Sequence, residues 1–282
     1  MEKMYIKDFQ NIQRTIDCWC GINISDSKEY LIHTRLKDIL FESKCSCYDE
    51  LIEIAKSGEA IKLRQQIIEK LTTNETYFFR GNKLFDDLRE YTIPHMLMSR
   101  NKTSYKNMIF RILTIGCATG QESYSIAMML NELVERKIFT DLTMDNFRII
   151  SIDIDSQALK KAKEGIYTQY EMNRGLPDEY KLKYFIQEGR NWRIKDELKK
   201  IITFYQSNII DEYKFEGKFE LIFCRNILIY FSQKNKIEIL KKLENMFTFF
   251  GGYLIIGESE NLYDLNPKFK RVRFGSNEMY TI

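Results

Sequence analysis

Two glycines followed by an acidic residue form the first candidate ligand-binding motif in this sequence. Gly116 and Gly120 follow a β-branched run that ends at Ile115, and Glu122 comes two residues later. Glycine lets the backbone turn tightly and approach a ligand, and the helix expected next offers unpaired N–H groups. The spacing is not the G-x-G-x-x-G of dinucleotide-binding turns. Glu122 disfavours a pyrophosphate and suits a cationic ligand. The alternative interpretation is an ordinary strand-to-helix turn without a ligand.

A second acidic position follows the next β-branched run. Asp153 stands at the end of residues 149–152, where a carboxylate can accept hydrogen bonds from ribose hydroxyls, as in nucleotide-binding βαβ units. Asp155 or Ser156 then caps the following helix; the alternative is that both aspartates are caps. Together with the glycine turn, Asp153 indicates a nucleoside that carries positive charge and no phosphates. S-adenosylmethionine fits that description.

Histidine and cysteine limit the mechanism further. The sequence has 2 histidines, His33 and His95, so a Ser-His-Asp triad, a multi-histidine metal site or a histidine base is not expected. The cysteines at 18–20 and 45–47 have Cys-x-Cys spacing, which is less typical of zinc sites than Cys-x-x-Cys. A zinc site there is the alternative to reduced thiols. The 6 cysteines in so long a chain do not make a disulfide scaffold.

These residues need a sheet to bring them together, and the hydrophobic pattern predicts one. Short β-branched or apolar runs alternate with segments whose apolar residues recur at helical spacing. Strands that alternate with helices favour a parallel sheet with βαβ crossovers, so the fold class is α/β. The predicted strands are residues 112–115, 149–152, 202–205, 219–224 and 253–256.

Three regions depart from this alternation. Residues 1–72 have helical periodicity without strong strand signals, so we expect a small all-helical domain. Residues 164–200 are polar and interrupted by glycine and proline; because a structureless loop of that length is unusual inside a domain, they predict an inserted subdomain. Residues 269–282 have the pattern of a β-hairpin that turns at 275–277, an antiparallel end to a parallel sheet.

Composition and charge exclude several classes of protein. The chain has 282 residues, 44% hydrophobic and 13% aromatic, which supports a sizeable core and is unlike a disordered chain. A net charge of +3 gives no strong field for nucleic acid. The longest nearly apolar stretch, residues 246–257, is shorter than the roughly 18 residues that suggest a membrane span, and the N-terminus has no signal-peptide pattern. We therefore expect a cytoplasmic protein without membrane insertion.

Several separated segments together resemble a known family, the CheR family of chemotaxis receptor methyltransferases, which are protein-glutamate O-methyltransferases. The resemblance runs from about residue 8 to the end of the chain. Each segment alone is a weak signal, but their order and spacing are specific. The segments are LTTNETYFFR at 71–80, the glycine turn at 115–125, Asp153-Ile154-Asp155, residues 162–167, Asn208, FCRNILIYF at 223–231 and GESE at 257–260.

This resemblance implies a domain organisation. Residues 1–72 would be an all-helical receptor-recognition domain. Residues 73–282 would form a Rossmann-like class I domain that depends on S-adenosylmethionine, with a small β-subdomain inserted at about 164–200 and a C-terminal antiparallel hairpin.

It also implies residue roles. Arg80 and Tyr230 would lie nearest the transferred methyl group, as catalytic residues. Glu122 would bind the methionine amino end or its neighbourhood, and Asp153 the ribose hydroxyls. Among the implied cofactor-binding residues, Asn74, Thr76 and Arg80 come from the interdomain linker. Asn208 and Ile209 would flank the adenine, and Asn226 and Ile227 would line the methionine side. The full set is Asn74, Thr76, Arg80, Gly116, Glu122, Asp153, Asn208, Ile209, Asn226 and Ile227.

Some of these residues also have purely structural interpretations. The aromatic run at 77–79 is typical of core packing. Arg225 could make a strand-end salt bridge, and Tyr230 could be a buried aromatic whose hydroxyl finds a partner. Asn226 at a strand end is harder to explain in this way, because the carboxyl ends of strands in open α/β sheets face the ligand crevice.

Two features depart from the family pattern. Gln121 and Ser123 stand where the family commonly has a second acidic residue and a proline, whereas Glu122 is kept. The family's helical domain often carries a basic helix that docks on an acidic receptor surface. Here residues 26–44 hold as many acidic as basic side chains, so net charge gives that docking mode no support, and a one-sided basic face is the arrangement that would still allow it.

The sequence and the resemblance predict transfer of a methyl group from S-adenosyl-L-methionine to glutamate side chains on the cytoplasmic helical domain of chemoreceptors. S-adenosyl-L-homocysteine is the other product, and the enzyme is expected to act as a monomer without metal or nucleic acid. A glutamate carboxylate is already an anion at pH 7, so it needs no general base. Two alternatives remain: a methyltransferase acting on RNA or a small molecule, and a non-catalytic adaptor that binds the cofactor and receptors.

Overall fold

The computed structural model describes residues 6–100, 105, 107–213, 215, 217–248, 251–262 and 265–282. Residues 1–5 of the predicted helical domain and residues 249–250 of the apolar stretch lie outside this part. The helices are α1 (Phe9–Cys20), α2 (Glu29–Glu42), α3 (Tyr48–Lys56), α4 (Ile61–Leu71), α5 (Asn82–Asp87), α6 (Ile93–Arg100), α7 (Gln121–Glu135), α8 (Ser156–Glu164), α9 (Gln169–Met172), α10 (Asp178–Tyr184), α11 (Asp196–Lys199) and α12 (Gln233–Glu244). The strands are β1 (Phe110–Ile115), β2 (Phe147–Asp153), β3 (Ile166–Thr168), β4 (Phe185–Glu188), β5 (Asn191–Ile194), β6 (Ile202–Gln206), β7 (Leu221–Cys224), β8 (Tyr253–Ile256), β9 (Lys270–Phe274) and β10 (Asn277–Thr281).

The N-terminal helices α1 to α4 pack around an apolar cluster of their own, which confirms the predicted helical N-terminus. Ile12 and Ile16 are four residues apart on α1 and are fully buried against residues of the other three helices, such as Leu36 and Leu51. The Asp8 carboxylate caps α1 by accepting the N–H of Asn11. A separate core is what a domain division near residue 72 requires; the division itself stays a prediction.

The central sheet has the strand order β6-β2-β1-β7-β8-β10-β9 within the described residues. The pairs from β6 through β8 are parallel, so the predicted α/β class and all five predicted strands are confirmed. One strand is shorter than expected, because β7 begins at Leu221 and Phe219 makes only an isolated bridge to Phe247. The chain runs from β1 outward to β2 and later returns to β7 on the other side, which places a topological switch point beside β1.

The central strands β1, β2 and β7 are mostly apolar because both faces of the sheet are covered there. Every residue of β7 is buried, and β2 has a single exposed position, Arg148. One face carries α7 and the inserted subdomain, and the other carries α12. In the described part of the chain, no helix combines the length and the apolar character that a membrane crossing requires.

The inserted subdomain is confirmed as a three-stranded antiparallel sheet in the order β3-β5-β4, with α9, α10 and α11 around it. Tyr167 and Trp192, which are paired across β3 and β5, are buried. The subdomain lies directly on the linker: a Cβ added at Gly175 would be 2.0 Å from the carbonyl oxygen of Phe78. Its position is therefore fixed against the linker that carries Arg80.

The C-terminal hairpin of β9 and β10 closes the sheet through antiparallel pairing with β8, as predicted. Its turn is anchored by Asp87 at the end of α5. The Asp87 carboxylate accepts hydrogen bonds from the backbone N–H and side chain of both Ser276 and Asn277. A Cβ at Gly275 would lie 2.1 Å from this carboxylate, so the turn approaches Asp87 closely only because position 275 is glycine.

Candidate active site

A cavity opens at the carboxyl ends of the central strands, between the sheet and the N-terminal helices. The segments that follow β1, β2, β6 and β7 all reach it, at the edge where open α/β sheets bind ligands. Its walls combine many apolar side chains with a few polar groups, as is usual for small-molecule sites. The lining residues are Cys20, Ile22, Leu71, Thr72, Thr73, Ile115, Gly116, Ile152, Asp153, Ile154, Ser207, Asn208, Ile209, Ile227, Tyr230 and Phe231.

Part of the set of residues implied by the sequence lies together in this wall. These are Gly116, Asp153, Asn208, Ile209, Ile227 and Tyr230. The others in the set are not among the lining residues in the described part of the chain: Asn74, Thr76, Arg80, Glu122 and Asn226. The roles of both groups stay predictions, and the contacts of each are described below.

The glycine turn has the backbone geometry that its sequence predicts. Gly116, Ala118 and Gly120 all have positive φ, at 67°, 46° and 90°. The Gly116 N–H donates to the carbonyl of Ile152 at 2.8 Å, which ties the turn to β2. An added Cβ at Gly116 would lie 2.5 Å from Cδ1 of Ile227, which also lines the cavity. Glycine at this position therefore allows these two segments to approach as closely as they do.

Asp153 lies at the end of β2, as predicted, and is buried. Its Oδ2 accepts the N–H of Ala118 at 2.7 Å, and its Oδ1 accepts the N–H of Asp155 at 2.9 Å. Burial raises the pKa of Asp153, and these backbone N–H groups oppose the rise. Each carboxylate oxygen has a second lone pair, so Asp153 can also accept hydrogen bonds from ligand hydroxyls. Asp155 caps α8 by accepting the N–H groups of Gln157 and Ala158, which confirms the predicted cap.

Glu122, in the first turn of α7, is paired within the protein. Its Oε2 accepts a hydrogen bond from Nη1 of Arg225 at 2.9 Å, and the two side chains are 13% and 4% exposed. This confirms the structural interpretation of Arg225 as a strand-end salt bridge. Burial raises the pKa of Glu122, and the charge of Arg225 opposes the rise. Oε1 can still accept from a ligand ammonium group, so the predicted role of Glu122 stays a prediction.

The linker residues make their contacts outside the cavity wall. Nδ2 of Asn74 donates to Oδ2 of Asp155 at 2.6 Å. Arg80 donates to the carbonyl of Glu75 at 3.1 Å, and its guanidinium lies 5.7 Å from the centre of the Tyr77 ring. Thr76 is half-buried. Among the neighbouring aromatics, the interpretation as core packing is confirmed for residues 78–79, which are buried.

The loop after β7 carries Asn226, Ile227 and Tyr230. Asn226 has φ at +59°, an uncommon conformation for a residue other than glycine. Its N–H donates to Oε2 of Glu260 at 2.8 Å, which holds the backbone in place. Glu260 lies in one of the family-like segments of the sequence, but its residue type gave no sign that it would bind backbone N–H groups.

The loop after β6 carries Asn208 and Ile209 into the wall. Nδ2 of Asn208 donates to the carbonyl of Trp19 at 3.0 Å, so this loop is attached to α1. Nζ of Lys242 on α12 donates to the carbonyls of residues 209–211. Sequence reasoning missed Lys242, because a lysine on an amphipathic helix is ordinarily a solvated surface residue.

The end of α1 forms part of the wall, a role that sequence analysis did not give to the helical domain. Cys20 and Ile22 line the cavity. The N–H of Asn23 donates to the carbonyl of Tyr230 at 2.8 Å, and Ile22 makes an antiparallel bridge to Phe231. Burial raises the pKa of Cys20 to about 12, so it presents a neutral thiol to the cavity.

Neither histidine lines the cavity. His33 lies 3.6 Å from Glu29 on α2, and the His95 ring packs on Phe274. The cysteines at 18–20 and 45–47 are free thiols. Among the residues that the structure describes, no three histidine, cysteine, aspartate or glutamate side chains are grouped as metal ligands.

The arrangement fits a positively charged nucleoside. A buried carboxylate, Asp153, can accept hydrogen bonds from hydroxyl groups of a ligand, and Ile154, Ile209 and Ile227 supply apolar surface for a base or an alkyl chain. Glu122, paired with Arg225, lies in the first helical turn after the glycine turn. The glycine at 116 leaves a groove that a Cβ would fill. These donor and charge types match S-adenosylmethionine better than a phosphate-bearing cofactor.

Comparison with known proteins gives a family-model match and similar curated proteins. Residues 74–276 match the model described as "CheR methyltransferase, SAM binding domain". The chain is 32% identical over 277 residues to "Chemotaxis protein methyltransferase" of Vibrio parahaemolyticus, a match that covers 98% of this chain and 97% of the relative. It is 37% identical over 247 residues to the protein of that name from Borreliella burgdorferi, covering 86% of this chain and 83% of the relative.

Proposed function

This chain belongs to the CheR methyltransferase family and is an S-adenosylmethionine-dependent methyltransferase of chemotaxis, and on that basis we propose that it methylates glutamate side chains of chemoreceptors. The observation that carries the proposal is the cavity at the carboxyl ends of the central strands, with Asp153 and Gly116 in its wall together with Tyr230. One wall thus combines groups suited to a nucleoside with a tyrosine suited to an incoming carboxylate.

The proposed cofactor contacts come from the segments around the cavity and from the linker. Asp153 binds the ribose hydroxyls, and Asn208 and Ile209 lie beside the adenine. Asn226 and Ile227 lie beside the methionine chain, whose amino group is bound by Glu122 or its neighbours. Asn74, Thr76 and Arg80 contribute from the linker, and Gly116 provides the close backbone approach.

S-adenosylmethionine held by these residues would supply a methyl group on a sulfonium for transfer to an oxygen of the glutamate carboxylate, with a neutral thioether as the leaving group. The protein needs no general base for this step, because a glutamate with a pKa of about 4.3 is already ionised at pH 7. Its residues act by positioning the carboxylate, which can contribute up to about 7–11 kcal/mol, and by excluding water. A dry site favours the reaction because charge is lost as the bond forms.

Arg80 and Tyr230 are the proposed catalytic residues. The Arg80 guanidinium contacts the Tyr77 ring and one backbone carbonyl, and it has donors left for a substrate carboxylate. A tight bidentate pair would weaken the nucleophile, so Arg80 holds the carboxylate through a looser contact. Tyr230 supplies one orienting hydrogen bond from its hydroxyl.

The substrate is the helical cytoplasmic domain of a chemoreceptor, and the helical domain of residues 1–72 recognises it. The enzyme works in the cytoplasm as a monomer, without nucleic acid or membrane insertion. Each methyl ester removes one negative charge from the receptor. That changes the repulsion between like charges on adjacent helices, so methylation adjusts the receptor's signalling equilibrium.

The test is a methyl-transfer assay with purified protein, S-adenosylmethionine labelled in its methyl group, and membranes that contain chemoreceptors from the same cell. Base-labile label on receptors, released as methanol, is the expected result. Label on RNA or a small molecule instead would overturn the substrate and keep the methyl transfer. Cofactor binding with no transfer to any acceptor would favour the non-catalytic adaptor.

A further inference from the structure

Two loops contribute to the cavity wall, and each is held by one charged side chain from outside the wall. The first loop follows β7 and carries Asn226, Ile227 and Tyr230. The second follows β6 and carries Asn208 and Ile209. Neither Glu260 nor Lys242, the residues that hold them, is among the described residues that line the cavity. Both therefore act on a ligand only through the loops.

Glu260 holds the first loop through backbone N–H groups. Its Oε2 accepts from Asn226 at 2.8 Å and from Gly257 at 2.7 Å, and its Oε1 accepts from Ile229 at 3.2 Å. Hydrogen bonds to a carboxylate are stronger than those between neutral groups. They hold Asn226 in its left-handed conformation, which the side chain alone disfavours, and they fix the turn that leads to Tyr230.

Lys242 holds the second loop through backbone carbonyls. Its Nζ donates to Ile209 at 3.2 Å, Ile210 at 2.7 Å and Asp211 at 2.6 Å. An ammonium group has three N–H donors, so these carbonyls use all of them. Nζ also lies 5.2 Å from the centre of the Tyr213 ring, whose hydroxyl donates to the Ile209 carbonyl at 3.2 Å.

We infer that Glu260 and Lys242 are positioning residues for two different steps, Glu260 for methyl transfer and Lys242 for binding of the nucleoside. The inference rests on the proposed function, because it depends on which loop faces the methionine and which faces the adenine. The loop held by Glu260 contains Tyr230, and the loop held by Lys242 contains Asn208 and Ile209. Loss of the Glu260 contacts should therefore lower mainly kcat, and loss of the Lys242 contacts should raise mainly the Kd for the cofactor.

Glu260→Gln removes part of the hydrogen bonding that holds the first loop. An amide has one acceptor oxygen, and its NH₂ group would face backbone donors. We expect kcat to fall about 10-fold to 100-fold, since a shift of about 1 Å in a reacting group can cost that much. The Kd for S-adenosylhomocysteine should rise by a smaller factor than kcat falls, because the second loop, which is proposed to lie beside the adenine, keeps its contacts.

Lys242→Met keeps the length of the side chain and removes its donors. We expect the Kd for S-adenosylmethionine to rise about 10-fold, with kcat at saturating cofactor within about twofold of the wild type. Lys242→Arg restores a cation with several donors and should recover most of the affinity. If Lys242 only filled space, Lys242→Arg would not restore the affinity in this way.

Matched controls come from two residues that make the same kinds of bond away from the cavity. Glu171 accepts the backbone N–H of Thr168, and Lys199 donates to the carbonyl of Glu164. Glu171→Gln and Lys199→Met should leave both constants unchanged. Calorimetric binding of each cofactor form, saturation kinetics and thermal midpoints would be measured for all variants.

The inference is supported if Glu260→Gln lowers kcat more than it raises Kd, and Lys242→Met raises Kd with little change in kcat. Equal losses of turnover and of affinity in both variants, or losses that only follow the fall in thermal midpoint, would overturn it. Where Glu260→Gln fails to fold, Glu260→Asp provides the same comparison with a carboxylate. A wild-type protein that binds no S-adenosylmethionine would instead overturn the proposed function, so the two failures are distinguishable.

Discussion

Glu122 and Arg225 form a buried ion pair, with 2.9 Å between Oε2 and Nη1, that joins the start of α7 to the end of β7. The other terminal nitrogen of Arg225, Nη2, donates to the carbonyl of Arg80 at 2.8 Å. One guanidinium therefore connects the glycine turn, the loop after β7 and the linker. All three segments carry proposed site residues, so the pair sets their relative positions.

Arg225→Met should destabilise the protein strongly. Removing one partner of a buried ion pair leaves the other charge without compensation, which typically costs about 3–5 kcal/mol. The pKa of Glu122 is already raised by burial and would rise further without Arg225. A group with a raised pKa in the folded state loses stability as pH rises through that pKa. The variant should therefore be less impaired at acid pH than at alkaline pH.

Urea unfolding of the Arg225→Met variant and the wild type at about pH 5 and about pH 8 measures this pH dependence. The double variant Glu122→Gln with Arg225→Met should recover part of the lost free energy of unfolding, because the uncompensated charge is gone. An identical loss at both pH values, with no recovery in the double variant, would assign the loss to other contacts of Arg225, such as its bond to the Arg80 carbonyl.

Gly116→Ala should weaken cofactor binding, whereas Gly189→Ala should not. Both glycines have similar positive φ, at 67° and 61°, so alanine costs each a comparable backbone strain of about 1–2 kcal/mol. The added Cβ at Gly116 meets Ile227 at 2.5 Å, while at Gly189 it meets no described atom within 4 Å. Displacing Ile227 should raise the Kd for S-adenosylhomocysteine about 10-fold, equivalent to about 1.4 kcal/mol.

Calorimetric titration of the two alanine variants gives this comparison, with thermal midpoints as the check on strain. The prediction fails if both variants lose affinity equally, since the strain they share would then be the cause.

Tyr230→Phe should lower turnover more than it lowers cofactor affinity. The substitution removes one hydroxyl and keeps the ring, so the cavity wall that Tyr230 forms is preserved. We expect kcat to fall about 10-fold or more and the Kd for S-adenosylmethionine to stay within about threefold. Tyr205→Phe, at an exposed position on β6, is the control. Equal losses in kcat and affinity would remove Tyr230 from the catalytic role.

Asp87→Asn should loosen the C-terminal hairpin and reduce the acid dependence of stability. Burial alone would raise the pKa of Asp87, but hydrogen bonds from Asn277 and Ser276 outweigh it, and the net pKa is lowered. A lowered pKa contributes stability that is present above the unfolded value of about 3.9 and is lost as pH falls through the folded value. At neutral pH the loss should be about 1–3 kcal/mol.

Denaturant unfolding between about pH 3 and pH 7 measures this effect. The difference in free energy of unfolding between wild type and Asp87→Asn should become smaller as the pH is lowered toward about 3. A difference that does not change with pH would assign the stability to the shape of the turn and not to the charge of Asp87.

The sheet was predictable because its central strands are buried on both faces. Such strands have a continuous apolar sequence, and the runs ending at Ile115 and near Asp153 are of that kind. The same logic places Asp153 and Asn226 in or beside the crevice, because the carboxyl ends of parallel strands meet at one edge. Residue type and position at the end of a strand therefore predicted where these two residues lie in the fold.

The missed residues act through the backbone of distant segments. Glu260 and Lys242 bind N–H and carbonyl groups, which every residue has, so their partners leave no mark in the sequence. The contact of Asn23 with Tyr230 is also between backbone atoms and spans most of the chain. The buried pairing of Glu122 with Arg225 depends on side chains 103 residues apart, which spacing alone cannot join.

The bridge between Ile22 and Phe231 limits how this protein can be recombined with its relatives. A chimera joined at residue 72 would exchange the helices, but it would also import a foreign Cys20 and Ile22 into the wall and a foreign partner for the Tyr230 carbonyl. Helix swaps intended to redirect the enzyme to another receptor should therefore retain residues 19–23 of the parent. Without them, an inactive hybrid could result either from the changed receptor specificity or from a damaged cavity wall.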